Sequence, residues 1–321
     1  MRRQSRKVRF DLPIITILKN PRQDWRRLTR GCLRTASDRK LSVDWKEFTQ
    51  DKYLFVHSTI VSSVQVADNG YYIDPPCDEL VNNNGNAWNT PILLATFRTF
   101  VGKNNYLEHI QIPALSKGRI LDAIARPITY KGRDGLTADV IYVDILVAVD
   151  RKHTDIIDRI ERGELNAMSM GCLAHWVTCS KCGKQIDDDM PNCYHLDHEM
   201  LTYFTDETGV KRIVAELCGR MIKDSKTGEL VPDSKSVEFV EASWVEKPAF
   251  KGAVINHYIS GADKRIAKIY LDDQLQAVVD DIFKLRVADV SGMMVLRVAR
   301  EELLRRRRKE TIERVAHGFL N

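Results

Sequence analysis

Residues 140–148 read Val-Ile-Tyr-Val-Asp-Ile-Leu-Val-Ala, a nearly unbroken apolar run rich in β-branched side chains. A run of this length and type suits a strand buried on both faces better than a half-exposed one, so it predicts a central strand of a barrel. Residues 118–130 form a second strand-like segment, joined to the first through Lys131-Gly132-Arg133-Asp134-Gly135. The pair anchors a mainly-β core, and neighbouring segments are read relative to it.

Upstream, residues 53–64 are rich in β-branched and aromatic types and predict another strand. Asp68-Asn69-Gly70 and Val81-Asn82-Asn83-Asn84-Gly85-Asn86 carry turn chemistry. A helix is expected after them, with Thr90 as its cap and Pro91 at the first helical position. Ile156, Ile157 and Ile160 lie at helical spacing and stop at Gly163. Residues 199–206 and 211–218 predict a hairpin around Asp206-Glu207-Thr208-Gly209, and 236–246 a strand ended by Pro248. From Asp263 onward, Leu271, Leu275, Val278 and Ile282 imply amphipathic helices, with a break at Ser291-Gly292.

Composition adds limits. Hydrophobic residues at 44% and charged ones at 29% describe an ordinary globular chain, and no apolar run approaches the ~20 residues a membrane helix needs. The basic N-terminus lacks the apolar centre of a signal peptide, so a cytosolic location is expected. The net charge of +5 is unevenly spread. The first forty residues set many Arg and Lys against Asp11, Asp24 and Asp38, and Arg305-Arg306-Arg307-Arg308-Lys309 lies near the other end. Such runs can bind nucleic acid or an acidic protein, or can simply be solvated.

Two stretches carry chemistry. The first is Gly163-Glu164-Leu165-Asn166-Ala167-Met168-Ser169-Met170-Gly171-Cys172. If 167–171 are extended, Ala167, Ser169 and Gly171 share a face, leaving the Ser169 hydroxyl uncrowded. A nucleophilic serine needs that access and a base within reach; a small residue filling a tight sheet needs neither.

The second stretch holds cysteines. Four of the seven fall between 172 and 193, which in a cytosolic chain points to metal or burial over a disulfide framework. Cys179-Ser180-Lys181-Cys182-Gly183 is a C-x-x-C-G knuckle, followed by Cys193-Tyr194-His195 and His198. Two close pairs of such ligands suit tetrahedral zinc, with Cys179, Cys182, Cys193 and His195 as the set and His198 as the alternative fourth member. Four protein ligands leave no open position, so the role would be structural. A catalytic zinc is disfavoured because no H-E-x-x-H pattern occurs.

The order of the remaining motifs is informative. Tyr106-Leu107-Glu108-His109-Ile110 and Gly118-Arg119-Ile120-Leu121-Asp122 precede the serine stretch. Phe239-Val240-Glu241-Ala242-Ser243-Trp244-Val245 and Pro248-Ala249-Phe250 follow it. In this order, over residues 52–258, the chain resembles the phage prohead (head maturation) proteases, a family associated with the herpesvirus-assemblin type of serine protease fold. The resemblance implies Ser169 as nucleophile, His109 as general base and Glu241 as the group orienting the imidazole. His57 and His153 are rivals for the third role, because herpesvirus relatives use a second histidine there, and Asp122 and Asp144 are more distant ones. Oxyanion donors are expected near Ser169–Gly171 or from a loop holding Arg126.

The expected fold is therefore α+β, a mainly-β barrel of the prohead/assemblin type with flanking helices. Its expected divisions are a basic arm at 1–50, a protease-like domain at 51–260 with a zinc-knuckle insertion at about 174–200, and a helical region at 261–321. The resemblance further implies a serine endopeptidase that processes phage scaffold and major capsid proteins, and itself, inside a prohead assembling in the host cytoplasm. The competing reading is a non-catalytic, zinc-containing nucleic-acid-binding or head assembly protein built on the same scaffold. Cleavage specificity, oligomeric state and the fate of the tails are open at this stage.

Overall fold

The computed structural model describes residues 15–18, 21–28 and 43–250. The expected C-terminal helices, the Arg305–Lys309 run and most of the 1–50 arm lie outside the described residues. In chain order the strands begin with β1 (Ile15–Ile17), β2 (Tyr53–Ser62), β3 (Asn86–Ala87), β4 (Asn104–Leu107), β5 (Gly118–Lys131) and β6 (Thr137–Asp150). They continue with β7 (Met168–Ala174), β8 (Trp176–Cys179), β9 (Gln185–Asp187), β10 (Tyr203–Thr205) and β11 (Lys211–Ile213). The last four are β12 (Glu216–Cys218), β13 (Met221–Lys223), β14 (Leu230–Pro232) and β15 (Val237–Trp244). The helices are α1 (Pro21–Leu28), α2 (Thr90–Thr96), α3 (Thr154–Glu161) and α4 (Tyr194–His198).

The main sheet has seven strands in the order β1-β2-β6-β5-β4-β15-β7, antiparallel throughout except where β15 runs parallel to β4. At its centre, β6 behaves as its sequence demands. Ile145, Val147 and Val149 enter one core with Ile60, Phe97 and Trp244, while Leu146 and Ala148 enter another with Trp25, Phe55 and Ile124. Both faces are covered, so alternation vanishes from the sequence.

The barrel expectation does not survive. β1 and β7 terminate the hydrogen-bonded order, and among the described residues no ladder closes the sheet. The molecule is mixed α/β, mostly sheet with few helices. The sheet does coil strongly, since Ile60 and Val61 of β2 and Ser169 and Met170 of β7 line one cavity. The short helix α2 and the turn after it plug the coil with Ile92, Leu93, Phe97 and Phe100. Its cap is Asn89, whose side chain accepts from the Ile92 N–H at 3.1 Å, one residue earlier than expected.

The expected insertion joins a second sheet, ordered β3-β12-β8-β9. Of the expected 199–218 hairpin, β10 and β11 pair around the turn closed by Gly209, but β12 leaves for this second sheet. Ile15–Ile17, which fall in the expected basic arm, pair with Ser58–Val56 at the edge of the main sheet.

Candidate active site and metal centre

Three distant segments converge beside β7. His109 follows β4, where the chain must turn sharply off the sheet edge. Glu108 and His109 both take left-handed backbone conformations, with φ of 49° and 58°. Non-glycine residues adopt this region at a cost, and they persist where the surroundings fix them. Here the Glu108 N–H donates to the Trp244 carbonyl, and the His109 N–H donates to Ser243 Oγ at 3.2 Å.

Glu241 is aimed at His109 by a β-bulge. The sequence alternation puts Phe239, Glu241 and Ser243 on one face of β15. The register against β7 instead shifts between Phe239 and Glu241, so Val240 is the extra residue. Phe239 stays in the core with Ala242 and Trp244, while Glu241 and Ser243 turn to the other face. There Glu241 lies opposite Gly171 and Ser243 opposite Ser169. The glycine is required by space: a Cβ at 171 would sit 2.6 Å from Glu241 Oε1.

Glu241 is fully buried and doubly held. Its Oε1 lies 2.7 Å from His109 Nδ1, and its Oε2 accepts from the Ser243 hydroxyl at 2.5 Å. Burying a carboxylate without partners would be costly, and these two supply what water would. The hydrogen bond to Glu241 raises the His109 pKa above its ordinary value, against the opposing effect of burial. His109 keeps 41% of its side chain exposed, with Nε2 left available for chemistry.

Ser169 is 6% exposed and lines, with His109, a cavity of about 430 Å³ that also touches Trp88, Val177, Glu216 and Phe250. Among the described residues no hydrogen bond joins its hydroxyl to the His109 ring; the two share the cavity and one face of the sheet. Ser243 is the member that sequence reasoning left without a role. Its position two residues beyond Glu241 on a strand was the available signal.

The rival residues are engaged elsewhere. His57 is buried with Nε2 3.3 Å from Asp144, and the His153 ring contacts the Ser116 carbonyl. Asp122 accepts from Trp25 and Arg98. Arg126 lies within β5, not in a loop, and its guanidinium grips Asp144 through two nitrogens at 2.8 and 2.9 Å. That buried pair holds the Asp144 carboxyl well below the usual range despite its burial. Arg126 is thus occupied as a structural cation.

The second cluster lies on the second sheet. Donor atoms of Cys179, Cys182, Cys193 and His195 all fall within 4.8 Å of one another, a group able to hold a metal ion such as zinc. Cys179 Sγ lies 4.0 Å from His195 Nδ1, and Cys193 caps the start of α4, which carries His195. Gly183 closes the knuckle at φ +70° and packs against Tyr71, which a Cβ would approach to 3.0 Å. His198, the alternative ligand, packs its ring on Tyr194 at 4.7 Å instead. The surrounding apolar core is small, comprising Val177, Cys179, Ile186 and Leu196.

No protein-family model, no curated protein and no solved structure matches this chain.

Proposed function

We propose that the chain is a serine endopeptidase in which Ser169 is the nucleophile, His109 the general base and Glu241 the group that orients the imidazole and stabilises its charged form. The observation that carries this reading is the 2.7 Å contact between His109 Nδ1 and the fully buried Glu241, beside a small-residue strand bearing Ser169. With Nδ1 committed to the carboxylate, Nε2 accepts the Ser169 proton as Oγ attacks a peptide carbonyl. The imidazolium so formed is stabilised by Glu241 and then protonates the leaving amine; water hydrolyses the acyl intermediate by the reverse relay. Ser243 fixes the second carboxylate oxygen and thereby the orientation of the pair.

The resemblance to prohead proteases gives the context we favour: processing of phage scaffold and major capsid proteins, and self-cleavage, within an assembling head in the host cytoplasm. The cysteine–histidine cluster is read as a structural zinc site, in which Cys179, Cys182, Cys193 and His195 fill all four positions. When bound, the metal would supply folding free energy to the second sheet. The test compares wild type with Ser169→Ala for self-truncation and for cutting of co-expressed scaffold or capsid protein. Wild type should be shortened and Ser169→Ala should stay full length. Two full-length proteins that cut nothing would favour a non-catalytic assembly or nucleic-acid-binding role.

A further inference from the structure

The cavity beside Ser169 has a polar far wall that the hydrolytic relay does not use. β12 presents Glu216 and Cys218 to it, while Leu217 between them enters a different core. Glu216 is partly buried, and its Oε2 accepts from the Asn86 amide. Among the described residues no cation pairs with it, and no other hydrogen bond reaches the carboxylate. It shares the cavity with Cys172 of β7 and with Cys218 of its own strand. Ile60, Trp88 and Val177 supply apolar wall, and Asn82, Asn84 and Asn86 line the cavity beside Glu216.

We propose that Glu216 makes this cavity a subsite for a cationic side chain, so that the substrates are peptide segments carrying Lys or Arg within about three residues of the cut bond. The proposal rests on the peptidase reading above. Cys172 stands three residues from Ser169 along β7, roughly 10 Å at ~3.3 Å per residue, a span that two or three extended peptide residues cover. An aliphatic stem would lie on Trp88 and Val177 while its charged head meets Glu216, the arrangement long basic side chains favour. An acidic or neutral guest leaves the partly buried carboxylate repelled or unpaired. The chain's own basic runs, Arg2-Arg3 and Arg305–Lys309, belong to this substrate class.

Two measurements on the full-length protein test it. Fluorescence titration with p-aminobenzamidine should show saturable binding to wild type and to Ser169→Ala. Glu216→Gln should bind about 10–100-fold more weakly, the loss expected for a charged hydrogen bond, with an unchanged near-ultraviolet circular dichroism spectrum. Absence of binding, or equal binding by folded Glu216→Gln, overturns the proposal. Cleavage of a mixed peptide library, mapped by mass spectrometry, should show Lys or Arg enriched at one position near the cut in wild type and depleted in Glu216→Gln. Cleavage without that enrichment also overturns it. If no peptide is cut, the peptidase reading falls, while the p-aminobenzamidine titration still decides the cation site.

Discussion

At the scale of single residues, the proposed function depends on a buried carboxylate being committed to one imidazole. Glu241→Gln keeps the shape but cannot stabilise the imidazolium, so kcat for peptide cleavage should fall by about 10³–10⁴ in a progress-curve assay. The pH profile gives an independent reading. Because Glu241 raises the His109 pKa, the neutral base is formed at higher pH than for an ordinary histidine. Activity should rise with pH through that elevated value, and Glu241→Gln should move the midpoint of the remaining activity downward. The sign for stability is opposite. A raised folded-state pKa favours folding fully below the unfolded histidine value of about 6.5, and the benefit is lost as pH rises through the folded value. With His109 part-exposed, that contribution is small. Gly171→Ala provides a test outside the relay. Its Cβ would meet Glu241 Oε1 at 2.6 Å and Gln111 Nε2 at 3.1 Å. Chemical denaturation should report a loss of about 1–3 kcal/mol together with loss of activity.

At the scale of elements, most of the scaffold was legible in the sequence, and the failures share a cause. The doubly buried β6, the strand at Ser169 and the helix Ile156–Ile160 were legible because each is a local pattern of period 2 or 3.6, or the absence of one. The bulge at Val240 was not, because one extra residue leaves no compositional trace while reversing the faces of everything beyond it. The expectation that Glu241 shares a face with Phe239 failed for that reason, although its proposed partner His109 was identified through motif order. Barrel closure was equally illegible, since it depends on whether the two sheet edges meet. The cap of α2 shows the usual one-residue uncertainty at a helix start. Asn89→Ala should cost about 1 kcal/mol in thermal or urea unfolding, whereas Thr90→Ala should leave the capping bond intact.

At the scale of the whole molecule, the inserted segment is joined to the second sheet, a placement that its sequence did not disclose. The candidate ligand Cys179 ends β8 and pairs directly with Glu216 of β12, so the cysteine–histidine cluster adjoins two strands that line the cavity through Val177 and Glu216. β3 and β12 pack Ala87 and Leu217 into a larger core, whereas the cluster end of the sheet has only the small apolar group around Val177, Cys179, Ile186 and Leu196, and is the part a metal would hold. Purified protein should therefore carry about one equivalent of zinc by elemental analysis, and Cys182→Ser should lose it. Chelation should strip hydrogen-exchange protection from residues 176–218 while β5 and β6 stay protected.

The central claim is that residues 109, 169 and 241 act as one unit that makes a single hydroxyl reactive. Labelling with a fluorophosphonate, read by intact mass and peptide mapping, tests it most directly. The account predicts one adduct per chain, on Ser169, formed at a rate that falls at least a hundredfold in His109→Ala. An unlabelled wild-type protein, an adduct on another residue, or equal labelling of folded His109→Ala would contradict it.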